Sequence, residues 1–174
     1  KLGDLYVNDA FSCSHRDHAS VTQITNFIPS YCGIQMNLEI NALKKVTTEI
    51  KKPITCIIGG SKISTKIGLI KNLLKKFNNI IIVGGMANNV IEYKGFNIGK
   101  SIKEENCKKT IEEIFSLAKK SNCNIFYPKD VSVGQSKNDT SQVKKLNEIS
   151  DNDLILDIGP ETIQMVKSII NNSK

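Results

Sequence analysis

Arginine is almost missing from this chain: Arg16 is the only one among 24 Lys and Arg residues. Histidine is nearly as scarce, with His15 and His18 the only two. Aromatic residues make up 6%, and the lysines come as scattered pairs (44–45, 51–52, 75–76, 108–109, 119–120, 144–145). A formal charge of +7 therefore reads as solvated helix faces rather than a nucleic-acid stripe, since basic clustering and interleaved aromatics are both lacking. No apolar run approaches the roughly 20 residues that span a membrane. Five cysteines, an odd number, occur without a C-x-x-C, so neither a disulfide framework nor a zinc ribbon is indicated. A reducing, cytoplasmic setting is expected. The start, Lys1-Leu2-Gly3-Asp4-Leu5, has no initiator Met and no apolar signal core, and reads as a beginning in mid-sequence.

What is present is organised around Ile54–Phe77. The β-branched run Ile54-Thr55-Cys56-Ile57-Ile58 ends in Gly59-Gly60-Ser61, and then Ile63, Ile67, Ile70, Leu74 and Phe77 recur at helical spacing. Strand, glycine turn and amphipathic helix in that order predict an anion site, because glycine admits close approach to backbone N–H groups at the positive end of a helix. Lys62 and Lys66 stand one turn apart at that start. A like-charged pair there costs local stability unless an anion lies between them. The alternative is a pair of solvated surface lysines.

Residues 80–91 repeat the design: Ile80-Ile81-Ile82-Val83, then Gly84-Gly85, then a short helix. Two such strands predict one ligand crevice at their C-terminal ends. Upstream, a strand at Leu5–Asn8 enters a polar loop holding Cys13, His15, Arg16 and His18. One reading is an anion clamp, with Arg16 bidentate to a carboxylate or phosphate and a histidine beside it. A metal site from Cys13, His15 and His18 and a helix-capping loop are the alternatives. Between Pro29 and Lys52, Ile34, Leu38, Leu43, Val46 and Ile50 predict a connecting helix of roughly five turns. Further on come a helix over 104–121, a strand at 125–127 closing on Pro128-Lys129-Asp130, a polar loop at 134–148, a strand at 154–158 closing on Gly159-Pro160, and a last helix from Glu161. The alternation predicts an α/β, Rossmann-like parallel sheet with helices on both faces from about residue 53, incomplete, its strands ending at Gly59, Gly84, Asp130 and Gly159 along one edge. The chain stops after a helix whose expected successor is another strand.

Tyr6-Val7-Asn8-Asp9-Ala10-Phe11, His15-Arg16-Asp17-His18, Pro29-Ser30-Tyr31-Cys32-Gly33, Gly59-Gly60-Ser61-Lys62, Gly84-Gly85-Met86-Ala87, Ile98-Gly99-Lys100-Ser101 and Leu156-Asp157-Ile158-Gly159-Pro160 together resemble the middle of the phosphoglycerate kinase family, in order and spacing. The resemblance covers essentially the whole chain. It implies a remnant of the phosphoglycerate-binding domain at 1–30, an interdomain helix at 31–52, and a nucleotide-binding domain at 53–174 truncated at its C-terminus. It implies that His15 and Arg16 help hold 3-phosphoglycerate, and that Lys62 and Lys66 contact the nucleotide phosphates and the phosphoryl group in flight. Gly60, Ser61, Gly84 and Gly85 would form the phosphate turn and adenine floor, with Ile102 and Leu156 packing on the adenine. The implied reaction is phosphoryl transfer between 1,3-bisphosphoglycerate and ADP giving 3-phosphoglycerate and ATP, in a monomeric glycolytic enzyme. The magnesium ligand is expected outside this stretch, no metal ligand within it, and the 174 residues alone are expected to be inactive. A non-catalytic nucleotide- or anion-binding α/β module is the alternative, and a basic nucleic-acid domain a third. Two departures stand out: Val83 fills a position usually glycine, and Asn88-Asn89-Val90 follows Met86-Ala87. Both are expected to reshape the adenine pocket without touching the phosphates.

Overall fold

The computed structural model describes residues 3–136 and 141–174. It divides into two compact units, one up to Ile50 and the other from Lys51.

In the first unit, β1 (Tyr6–Asn8) pairs in parallel with β2 (Ser30–Cys32), with 3-10 turns at Phe11–Cys13 and Gln23–Asn26 between them. Helix α1 (Ile34–Thr47) follows Gly33. Its start is capped from a distance: Asp9 Oδ1 accepts the Met36 N–H at 2.8 Å. A Cβ on Gly33 would overlap that same carboxyl group, so glycine is what lets the cap close. Helix α1 is shorter than the roughly five turns expected. Residues 30–32 are drawn into the sheet, and at the other end the Thr47 and Thr48 hydroxyls donate to the Leu43 and Lys44 carbonyls at 2.7 Å each, closing the last turn. The expected stripe is helical but uncovered: Ile34 (81%), Leu38, Leu43 and Val46 are exposed, and Met36 is the helix's buried residue.

In the second unit, β3 (Thr55–Gly59), β4 (Asn79–Val83) and β5 (Asn124–Phe126) form a parallel sheet in that order. The links carry α2 (Ile67–Leu74), α3 (Gly85–Tyr93) and α4 (Lys108–Lys120). Alternation along the strands sends Ile58, Ile80 and Ile82 to one face, where they join Ile70, Leu74, Met86, Val90, Ile111 and Ile114 in the main core. Thr55 points to the opposite face and bonds Ser173 at 2.6 Å, just past the end of α5 (Pro160–Asn171). Helices therefore lie on both faces, as the α/β alternation predicts.

The strand at 154–158 does not extend this sheet. β8 (Leu154–Ile158) pairs antiparallel with β6 (Asp130–Gly134), which also pairs antiparallel with β7 (Gln142–Lys145). Asp130 thus opens a strand rather than closing one. The reason is connection length: parallel strands need a crossover of about a dozen residues or more, and the links from β5 to β6 and from β6 to β7 are shorter. The polar loop expected at 134–148 contains β7 and a 3-10 turn at Leu146–Glu148, while its residues 137–140 lie outside those described. The antiparallel strands sit on a second cluster of Ile91, Ile98, Val131, Val133, Leu146 and Ile149. Helix α3 serves both clusters, Val90 in one and Ile91 in the other. That is why its residues 86–91 are all buried.

Candidate functional site

The two glycine turns interlock. β3 and β4 end in register, Gly59 opposite Val83, and the Met86 N–H donates to the Gly60 carbonyl at 2.8 Å. Gly84 takes φ +66°, where glycine is favoured. A Cβ on Gly85 would come within 3.1–3.3 Å of Ile102 Cγ2, Ser61 Cα and the Gly60 carbonyl oxygen. The absence of side chains is thus what lets the turns meet. Val83 packs beside Gly59: a Cβ there would lie 3.1 Å from Val83 Cγ2.

The stretch after Gly60 is not a regular helix start. Ile63, fully buried in the main core, pins a 3-10 turn at Ser64–Lys66, and α2 begins only at Ile67. Lys62 precedes the 3-10 turn, Lys66 ends it, and both are exposed. Among the described residues neither side chain forms an ion pair or a hydrogen bond, nor does α2 carry an acidic residue in its first turn. The anion at this turn is a carboxylate of the chain itself. Glu104 Oε2 accepts the Ser64 N–H at 3.0 Å, and Glu104 Oε1 accepts the Ser64 hydroxyl. These bonds, with a smaller contribution from the Lys62 charge, hold the Glu104 carboxyl below the ordinary range.

Beside the interlocked turns is a cavity of about 200 Å³ whose lining includes Gly84, Gly85, Asn88, Ile102, Leu156 and Asp157. Four of the residues expected at the adenine, drawn from three separate stretches of sequence, therefore meet at one place. Ile102 is 61% and Leu156 36% exposed, so the cavity has apolar walls open to solvent. It is smaller than the roughly 300–1,000 Å³ typical of pockets for drug-sized ligands. Gly60, Ser61, Lys62 and Lys66 do not line it. Gly60 and Ser61 adjoin it through Gly85. Although β8 belongs to the other sheet, its end still reaches this place, because the Gly159 N–H donates to the Asp130 carbonyl at 2.9 Å.

In the first unit, His15 and Arg16 lie exposed on the loop after Phe11–Cys13, without a side-chain partner among the described residues. The loop is shaped by its neighbours: Ser14 Oγ donates to the Phe11 carbonyl at 2.7 Å, Cys13 Sγ to the Ala10 carbonyl at 3.4 Å, and Thr22 Oγ1 to Asp17. Among the described residues no group of three or more His, Cys, Asp and Glu could hold a metal ion.

Sequence reasoning missed Asp130 and Glu104. Asp130, 4% exposed, caps α5 by accepting the Glu161 and Thr162 N–H groups at 2.9 and 2.7 Å and the Thr162 hydroxyl at 2.6 Å. Burial pushes its carboxyl up, and these hydrogen bonds outweigh it to leave the group below the ordinary range. Nothing local in the sequence links either acid to its partner.

The fold and its strand-end crevice define an α/β, Rossmann-like protein built on glycine turns at the C-terminal ends of parallel strands. The chain belongs to the phosphoglycerate kinase family, whose model matches residues 1–174. It is 45% identical over 174 residues to the phosphoglycerate kinase of Wolbachia pipientis wMel, covering 99% of this chain and 44% of that protein. It is 42% identical over 173 residues to that of Bartonella bacilliformis, covering 98% and 43%. Among solved structures, the phosphoglycerate kinase of Coxiella burnetii superposes with a TM-score of 0.87 at 32% identity, over 99% of this chain and 45% of that one. The enzyme from Pyrococcus horikoshii OT3 does so at 0.79 and 24% identity, over 98% and 44%, a likeness of fold. The chain thus spans less than half the length of these relatives.

Proposed function

We propose that this chain supplies the nucleotide side of a phosphoryl transfer between 1,3-bisphosphoglycerate and ADP, giving 3-phosphoglycerate and ATP. The observation that carries the reading is the convergence of Gly84, Gly85, Ile102 and Leu156 on one cavity beside the Gly60–Ser61 turn. The adenine enters between Ile102 and Leu156, and the phosphates run toward Gly60, Ser61, Lys62 and Lys66. Phosphoryl transfer is catalysed chiefly by positioning and by charge placed where negative charge is redistributed. Lys62 and Lys66, which among the described residues form no ion pair and stand next to backbone N–H groups, are suited to that. His15 and Arg16, exposed on their loop, hold the phosphoglycerate through charge-assisted bonds. Residues 1–30 act as a piece of the acceptor domain and 53–174 as the nucleotide domain, and of the stretch 31–52 between them α1 (Ile34–Thr47) is the helical part. Among the described residues no group of three or more His, Cys, Asp and Glu could hold a metal ion, and the magnesium ligand is expected outside this stretch. The 174 residues alone turn over negligibly, because they span under half of a family member and leave too little to close over the reactants.

The test is ATP formation from 1,3-bisphosphoglycerate and ADP by the full natural polypeptide carrying this chain, with Lys62→Ala and Lys66→Ala beside it. Each substitution should lower turnover by about 10²–10³, equivalent to about 3–4 kcal/mol, with a smaller loss of nucleotide affinity. Unchanged turnover in both variants would make them surface lysines and favour a binding module.

A further inference from the structure

Three consecutive residues, Ile102, Lys103 and Glu104, are each tied to helix α3. Asn88 Nδ2 donates to the Ile102 carbonyl at 2.9 Å, Lys103 Nζ meets Glu92 Oε1 at 2.8 Å, and Asn89 grips the Glu104 backbone from both sides. In that grip Asn89 Nδ2 donates to the Glu104 carbonyl at 2.7 Å, and Asn89 Oδ1 accepts the Glu104 N–H at 3.1 Å. Asn89 is 1% exposed. A buried amide that spends one N–H and its oxygen on the backbone carbonyl and N–H of a single residue fixes that residue rather than merely satisfying itself. The side chain of the gripped residue then reaches out of α3's territory to the Ser64 N–H and hydroxyl.

We propose that Glu104 is the positioning residue of the Lys62–Lys66 turn and that Asn89 holds Glu104 in place, an inference that rests on the phosphoryl-transfer reading above and deepens it. One side chain, that of Glu104, separates Asn89 from the turn that carries both lysines. A carboxylate on Ser64 supplies the acceptor that the first N–H of the 3-10 turn lacks. It also places a negative charge near Lys62, so that this lysine is held without being paired. Since α3 begins at Gly85 and Asn88 fixes the Ile102 wall, the same helix sets the base cavity and the phosphate turn relative to each other.

The test uses the full natural polypeptide, with Glu104→Ala, Glu104→Gln, Ser64→Ala and the Ser64→Ala/Glu104→Ala pair. Hydrogen exchange of residues 62–66 should rise in Glu104→Ala while that of α3 stays as in the parent, a readout independent of activity. Turnover should fall about tenfold to hundredfold, the scale of a small misplacement of reacting groups, with the KM for ADP changed less than about threefold. Glu104→Gln keeps an acceptor for the Ser64 N–H and should recover part of the loss. It also carries the test if the alanine variant fails to fold. The double variant should be no worse than Glu104→Ala, because both substitutions break one contact. Unchanged exchange at 62–66, unchanged turnover in folded Glu104→Ala, or additive losses in the pair would each overturn the proposal. A parent protein with no turnover at all would instead overturn the phosphoryl-transfer reading, with the exchange data still deciding whether Glu104 holds the turn.

Discussion

Replacing Gly159 with alanine should destabilise the protein markedly, even though the backbone there, at φ −85° and ψ 173°, suits any residue. The obstacle is Asp130. A Cβ on Gly159 would lie under 3.0 Å from three atoms of its carboxyl group. The carboxylate cannot step aside without releasing the Glu161 and Thr162 N–H groups and the Thr162 hydroxyl. Losing a helix N-cap costs about 0.5–2 kcal/mol and forcing an extra methyl into a packed site about 1–3, so the total is about 2–5 kcal/mol. At about 2–4 °C per kcal/mol for a domain of this size, the melting midpoint should fall by about 4–20 °C. Urea and thermal unfolding of the natural polypeptide measure it. The Asp130→Ala variant has already lost the cap and made room, so adding Gly159→Ala to it should cost no more than about 0.5 kcal/mol. A wild-type midpoint for Gly159→Ala, or full additivity in the double variant, would refute this account of why glycine stands at the turn.

Ile102→Ala and Leu156→Ala should each weaken ADP binding about threefold to tenfold, roughly the 1 kcal/mol of apolar contact a trimmed aliphatic side chain gives up. Both side chains are at least a third exposed, so unfolding midpoints should barely move; calorimetric titration with unchanged ADP affinity would place the base elsewhere. The Asp130 carboxyl is held below its ordinary value in the folded protein. Its contribution is therefore present above the unfolded pKa, near 4, and is lost as pH falls from there through the folded value. Asp130→Asn should flatten the fall of stability with pH in that acid window, and an unchanged acid limb would refute the assignment.

The parts of the fold that could be read from sequence are those whose signal is local. The periods of Ile54–Ile58 and Ile80–Val83 mark buried strands, and the glycine pairs after them mark the crevice, because side-chain alternation and glycine's freedom are visible within a few residues. The parts that could not be read depend on distant partners. β7 carries Val143 as its only large apolar residue and is a strand because β6 pairs with it. The Ser64–Lys66 turn looks like the first turn of α2 until Glu104, 40 residues away, is seen to cap it. In the same way the Asp9 cap on α1 and the Asp130 cap on α5 span 27 and 31 residues. Helix α1 shows the converse: its periodicity is legible, yet Ile34 and Leu38 are exposed, because period reports helix and not what covers it.

The most direct test is a crystal structure of the natural polypeptide with ADP. The account predicts the adenine between Ile102 and Leu156 above Gly84 and Gly85, with the phosphates passing Gly60 and Ser61 to meet Lys62 and Lys66. Adenine bound away from that cavity, or phosphates directed away from both lysines, would contradict it.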